Sequence, residues 1–339
     1  MTGRDKGRTI GRRGLLLGSM AALMTAGCSI PRERPLAFSL PWRDSEFHTR
    51  NAREFAAAVA EATESRVDIR VHSGAALGVK GPQSIRALEE NIVQLADISG
   101  FQQVGSAPVL GLESLPLLVD DMDELALLWV RLRPVIDSLF ARWGLVVLYV
   151  VPWPQQNIFT RRRIDSVEDL VGLRIRSQAP IMTNFSRALG MAPIQLTNPE
   201  TVPALATGMI EAIATSTSTA AAQKYWEFLR YTYRTNHLWS SNIVAINGRT
   251  WDRIGEADRE RMIELAGRME GHFWQVSRGD DAEQLALLEQ MGMETLVPSD
   301  TVIEHMRDAA RPLWASFAQS LDADGAAVLD WFLHETGRA

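Results

Sequence analysis

The 339 residues carry 35 Lys and Arg against 41 Asp and Glu, a net charge of −6, with 46% hydrophobic and 22% charged side chains. This length exceeds the usual single domain, so two domains with sizeable cores are expected. The balance excludes a disordered rod and a non-specific nucleic-acid binder, which needs a basic face. The single cysteine, Cys28, excludes an intrachain disulfide and a cysteine-cluster metal site.

Residues 1–27 read as an export signal. Arg4, Lys6, Arg8, Arg12 and Arg13 form a basic head, and Gly14 to Ala26 is mostly apolar and uncharged. That run is shorter than the ~20 residues a membrane-spanning helix needs. Arg12-Arg13 followed by Gly14-Leu15-Leu16 is similar to a twin-arginine signal. Thr25-Ala26-Gly27-Cys28 resembles a lipobox, with Thr25 where Leu is usual, which would make Cys28 the lipidated first mature residue. An ordinary cleavage site beside an unmodified cysteine is the alternative. Removing residues 1–27 leaves 30 basic against 40 acidic residues. An acidic chain without disulfides outside the cytoplasm suggests a bacterial envelope, and nothing else in the sequence is apolar enough over sufficient length to span a membrane.

Beyond a linker at 28–35, Arg34 to Leu40 reads as a strand. From Glu46, the positions Phe47, Phe55, Val59 and Ala62 share one helical face. Arg66 to His72 alternates as a half-buried strand, Pro82 to Gln94 reads as a second amphipathic helix, and Leu95 to Ser99 as a strand. Asp121 to Trp143 is helical, and Leu145 to Val151 is a nearly continuous apolar run that suits a strand buried on both faces. A loop and short helix cover Ile164 to Leu173, and a strand covers Arg174 to Ser177. Ile181, Phe185 and Leu189 mark a helix, and Pro193 to Leu196 a strand. Asn198 is expected to cap a helix from Glu200, with a strand at Ile210 to Thr215. Ala257 to Met291 is helical for nearly its whole length, and terminal helices follow from Asp300 to Thr336. Such alternation predicts an α/β fold with a largely parallel sheet. Tyr149 to Thr160 and Leu238 to Asn247 are the expected crossings between two units, whose cleft would hold a small ligand.

Enzyme motifs are absent: no phosphate-binding or dinucleotide glycine loop, no H-E-x-x-H, and no G-x-S-x-G. The histidines, His48, His72, His237, His272, His305 and His334, are scattered without metal-ligand spacing, so neither a metal nor a cofactor is expected.

Val151 to Gln156, followed by Ile164-Asp165-Ser166-Val167-Glu168-Asp169-Leu170-Val171-Gly172-Leu173-Arg174-Ile175-Arg176, resembles the solute-binding proteins of TRAP transporters, the DctP family. Ala188 to Pro193, Leu205 to Ala212, Phe55 to Gly78 and Pro108 to Pro116 continue the resemblance in order, over roughly 36–275. It implies two α/β lobes of the periplasmic-binding-protein type II-like fold, with a hinged cleft and a long back helix. The expected division is an N-terminal lobe at 36–152 joined by about 243–275, a C-terminal lobe at 153–242 joined by about 276–320, and a helical tail at 321–339. The implied partners are a small organic acid and TRAP membrane permease subunits, with no nucleic acid, and membrane contact only through a lipid anchor.

Arg176 stands where the resemblance places the ligand arginine. A planar guanidinium grips a carboxylate through two parallel N–H···O bonds. Without the resemblance, a surface residue paired with an acid is the favoured reading. Trp153 would form an apolar wall or simply pack the core, and Gln155 would hydrogen-bond the ligand. Thr215 and Thr217 offer hydroxyls, although Thr215 departs from relatives that use Asn or a Trp-Glu pair there. Trp42, Phe101 and Gln102 would line the opposite wall, with Trp239 and Asn242 at the second crossing. Arg161-Arg162-Arg163 reads as a solvated loop. A ligand-binding accessory of a sensor and an enzyme on the same fold are the rival functions.

Overall fold

The structure is a computed structural model that describes residues 34–338. The export-signal reading and Cys28 lie outside the described residues. The rest is α/β, built on two sheets. The first is ordered β2 (Ile69–His72), β1 (Leu36–Ser39), β3 (Leu95–Ser99), β10 (Ser241–Asn247), β4 (Leu145–Pro152). The second is ordered β11 (Glu294–Leu296), β9 (Tyr231–Leu238), β5 (Gln156–Thr160), β8 (Ala212–Thr215), β6 (Arg174–Ser177), β7 (Ala192–Gln195).

Neither sheet is as parallel as the helix–strand alternation predicts. β10 runs antiparallel to both β3 and β4, and β5 antiparallel to both β8 and β9. The reason lies in the crossings. Only Trp153 to Gln155 separate β4 from β5, and only Trp239 and Ser240 separate β9 from β10. A strand that crosses directly into the other sheet has no helical connection to turn it parallel to its new neighbours. The second crossing lies at 239–240, and β10 pairs wholly within the first sheet.

Local chemistry accounts for the helix boundaries. α1 (Phe47–Ala62) buries Phe47, Phe55 and Val59 on one face. α2 (Ser84–Glu89) is shorter than the amphipathic pattern predicts: a 3₁₀ turn at Gly81–Gln83 precedes it, and Asn91 takes a left-handed φ of 57° just beyond it. α3 (Met122–Arg142) starts on Asp121, whose Oδ1 accepts from the N–H groups of Asp123 and Glu124 at 2.9 Å each. α4 spans Pro180–Ala188. α5 (Asn198–Ala206) is capped by Thr197 in a reciprocal box with Glu200, one residue before the expected Asn198, which leaves the Asn198 side chain for other use. α6 (Thr217–Ala222) is capped by Ser216. After α7 (Gly248–Arg253), α8 (Glu256–Gln290) runs 35 residues, about 52 Å at 1.5 Å per residue.

α8 packs on α1 and β4 of the first lobe and on α6 of the second. Its Asp280 accepts from Ser218 of the second lobe and pairs with Arg50 of α1 at 3.3 Å. Its Asp281 gathers Thr217 Oγ1 at 2.7 Å, Gln155 Nε2 at 3.0 Å and Arg234 at 3.2 Å. The back of the molecule is therefore pinned across both lobes. α9 (Asp300–Ala318) packs on α4, while its Trp314 donates to Pro116 O of the first lobe, and α10 (Ala323–Glu335) packs on α3. The three arginines at 161–163 are exposed and hold carbonyls and carboxylates of the second lobe, including Leu205 O, Asp169 O and Asp165.

Candidate ligand cleft

The carboxyl ends of strands from both lobes meet at one place, as is usual for ligand sites in open α/β sheets. An outer cavity of about 380 Å³ is lined by Trp42, Lys80, Gly81, Gln102, Arg176, Gln178 and Asn198, among others. It is within the range of small-molecule sites. The residues Trp42, Gln102, Arg176, Gln178 and Asn198 also line an inner recess of about 40 Å³, with Phe101, Trp153, Gln156, Thr215, Ser216, Thr219 and Ser240.

Arg176 defines the second lobe's side. It occupies the third position of β6, opposite Ile194 of β7 and Ile213 of β8, so apolar neighbours surround its stem. It is 5% exposed. Its Nε donates to Leu196 O at 3.1 Å, and among the described residues no carboxylate approaches its guanidinium within ion-pair distance. Burial pushes its pKa down, partly offset by the more distant Tyr225 and Glu200. Burial also drives the neighbouring Tyr225 hydroxyl up to about 12. A buried cation without a counter-ion is costly unless an anion joins it.

The first lobe supplies an aromatic wall. Trp42 and Trp153 meet edge to face with centroids 4.8 Å apart, and the His48 ring lies 4.2 Å behind Trp153. Across the recess, Thr219 Oγ1 donates to Glu46 Oε1 at 3.4 Å, a direct contact between the lobes. Burial raises Glu46 and Asp97 to about 7 each. Two amide oxygens, Gln102 Oε1 and Gln178 Oε1, are buried without a hydrogen-bond partner among the described residues.

Of the residues singled out from sequence, Arg176, Trp153, Thr215, Trp42, Phe101 and Gln102 come together around this cavity. Four do not. Gln155 and Thr217 turn to Asp281 on the back helix. Strand alternation sends Gln156, not Gln155, into the recess. Trp239 is buried and donates from Nε1 to Val119 O at 3.0 Å. Asn242 is buried behind the wall, accepting from Trp153 Nε1 at 2.9 Å. Sequence reasoning missed Gln178, Asn198, Ser216, Thr219 and Ser240. Gln178, Ser216 and Ser240 lie within two residues of a strand end, and Asn198 and Thr219 lie in the first turns of the helices that follow β7 and β8; strand ends were the available signal.

Residues 38–320 match the family described as bacterial extracellular solute-binding protein, family 7, DctP. The solved structure of DctP7 from Bordetella pertussis, an extracytoplasmic solute receptor binding pyroglutamic acid, is 25% identical with a TM-score of 0.86, covering 88% of this chain and 99% of that one. A TRAP solute-binding protein from an unidentified marine microbe, specific for pyroglutamate and solved with co-purified pyroglutamate, is 26% identical with a TM-score of 0.83, covering 89% and 99%. A solute-binding protein of Albidiferax ferrireducens is 22% identical over 276 residues, covering 79% of this chain and 80% of that one. The family and these neighbours are solute receptors, not enzymes. The chain belongs to family 7 of the bacterial extracellular solute-binding proteins, the DctP family of TRAP-type solute receptors.

Proposed function

We propose that the protein captures a small organic acid between its lobes, with the ligand carboxylate on Arg176, and delivers it to a TRAP-type membrane permease. The observation that carries this reading is the buried guanidinium, without a carboxylate partner among the described residues, facing a cavity. In a dry cleft a bidentate guanidinium–carboxylate pair is far stronger than in water. Trp42 and Trp153 would cover one face of the ligand, and Thr215, Thr219 and Asn198 offer polar contacts around it. Closure then works by population shift: a ligand that touches both lobes only when they are closed stabilises that form by its differential affinity.

Pyroglutamate is the first ligand to test, because two structural neighbours near one-quarter identity bind it. It carries one carboxylate for Arg176 and a lactam N–H for the unpartnered amide oxygens of Gln102 or Gln178. Thermal-shift and calorimetric titration against pyroglutamate and a panel of hydroxy, keto and dicarboxylic acids tests the reading. A carboxylate at a hundredfold excess over its Kd should stabilise by about 2.7 kcal/mol. No response to any carboxylate, with no acid found by mass spectrometry of the denatured protein, would sink it. The export reading of residues 1–27 and lipidation of Cys28 belong to the same proposal, and the mass of the mature N-terminal peptide tests them.

A further inference from the structure

We propose that Asp97 and Asn242, neither of which lines the cavity, are positioning residues for ligand recognition: together they hold both indoles of the aromatic wall. This rests on the cleft being the ligand site. Asp97 lies in β3 and Asn242 in β10. The register pairs Asn242 with Ser99 and Val244 with Asp97, so the two side chains share one face of the first sheet, two positions apart. Trp42 Nε1 donates to Asp97 Oδ1 at 2.8 Å, and Asn242 Nδ2 donates to the same oxygen at 2.6 Å. Asn242 Oδ1 in turn accepts from Trp153 Nε1 at 2.9 Å. All four side chains are buried. Trp42 follows β1, Trp153 opens the first crossing between the lobes, and Asn242 lies two residues beyond the second crossing. One carboxylate therefore ties the wall and the first-lobe ends of both crossings to β3.

The network has a direction. Indole nitrogens only donate, a carboxylate only accepts, and the Asn242 amide relays by doing both. Both donors reach one oxygen, so what the wall needs from position 97 is an acceptor at the place of Oδ1. Asp97→Asn supplies it: with its amide oxygen there it accepts from Trp42 and Asn242 as before, and its N–H₂ takes the place of Oδ2, 3.8 Å from His48 Nδ1, a ring nitrogen that accepts in one tautomer. Asp97→Leu removes the acceptor and leaves the Trp42 N–H and the Asn242 N–H₂ buried without a partner, so the amide that holds Trp153 loses its own support.

The test uses the whole mature protein, pyroglutamate as the probe, and the indole resonances of Trp42 and Trp153, assigned by Trp→Phe changes. Asp97→Leu should shift both indole resonances, including that of Trp153, which does not touch residue 97, and weaken pyroglutamate binding about tenfold or more. The conservative Asp97→Asn should hold the affinity within about threefold of wild type. A shift confined to Trp42, an affinity of the Leu variant within twofold of wild type, or an Asn variant as weak as the Leu variant would each overturn the proposal. If Asp97→Leu does not fold, Asn242→Leu carries the test: it strands the Trp153 N–H, should shift that resonance and weaken binding by a similar factor, and an affinity within twofold of wild type is equally fatal. Wild-type protein that ignores pyroglutamate would count against the ligand reading alone, and the indole shifts would still decide whether this network holds the wall.

Discussion

Replacing Arg176 by Met should move binding and stability in opposite directions. The guanidinium is 5% exposed, uses its Nε on Leu196 O at 3.1 Å, and has no carboxylate within ion-pair distance among the described residues. In the ligand-free protein it is a buried charge whose nearest compensation is the more distant Glu200 and Tyr225. Exchanging such a charge for an apolar side chain of similar length should stabilise the empty protein by about 1–4 kcal/mol, a rise of a few degrees in Tm. With ligand the balance reverses. Removing one member of a buried, hydrogen-bonded charge pair costs about 2–5 kcal/mol, a loss of about 30-fold to several thousandfold in affinity. Arg176→Lys keeps the charge but loses the fork, and should bind more weakly than wild type and more tightly than the Met variant. Thermal unfolding with and without pyroglutamate, together with calorimetry, reads both effects. Affinity within threefold of wild type would refute the role of Arg176. A marked fall in the Tm of the empty Met variant would show that the guanidinium is compensated within the protein, and would remove the argument that it awaits an anion.

Three further outcomes follow from the geometry. Glu113 is buried, with its carboxyl raised to about 7 by burial against donation from Ser241 and Trp129. The folded protein keeps that proton to about pH 7 and the unfolded chain sheds it near 4.5, so its contribution to stability is lost as pH rises between those values. The buried, neutral His48 and His237 act in the opposite sense below about 6.5, so the readout is a difference: relative to Glu113→Gln, wild type should lose about 1.4 kcal/mol per pH unit across that window, and parallel curves would refute it. At Gly81, a Cβ would come 1.9 Å from Gln102 Oε1, so Gly81→Ala should push the Gln102 amide from its place in the cavity. We expect about tenfold weaker binding with less than ~1 kcal/mol change in stability, and unchanged calorimetric affinity would refute it. Asp281→Ala strips the shared acceptor from Thr217, Gln155 and Arg234 at the back of the hinge, and should cost about 2 kcal/mol in denaturant unfolding; a loss under ~0.5 kcal/mol would contradict the clasp.

The sequence pattern located most elements because each had a local cause. The face of Phe47, Phe55 and Val59 marks α1, and the apolar run from Leu145 marks β4. What escaped is long-range. β5, β9 and β10 carry no periodic pattern distinctive enough to fix their partners, and their antiparallel pairing follows only from two crossings of three and two residues. The site shows the same division. Arg176 stands out only through a family resemblance, since by composition it is one of many arginines. Gln156 escapes by one residue, and a shift of one in a strand turns the side chain to the other face. Thr217 reads as a cleft hydroxyl but is held by Asp281, 64 positions away, a partnership that no local pattern encodes.

If Arg176 and the tryptophan wall bind the ligand as proposed, the division of labour between the lobes makes affinity depend on closure. The charge is on the second lobe, at Arg176, and the apolar cover is on the first, at Trp42, Trp153 and Phe101. A carboxylate that reaches Arg176 in an open, wet cleft gains only a screened pair, at about 1 kcal/mol for charges 4 Å apart in water. The same pair covered by the tryptophan wall sits in a poorer dielectric and becomes several times stronger. The back helix would limit how the cover can arrive: Asp280 joins Arg50 of the first lobe to Ser218 of the second, and Asp281 anchors the second lobe and the first crossing, so closure would have to take place at the front. On the other side, the Glu46–Thr219 contact joins the two lobes beside the recess. An acid too large to let the wall meet Arg176 loses more than contact area, because it leaves its own charge pair in water. On the proposed reading, selectivity for small acids would thus arise from the placement of charge and cover on opposite lobes.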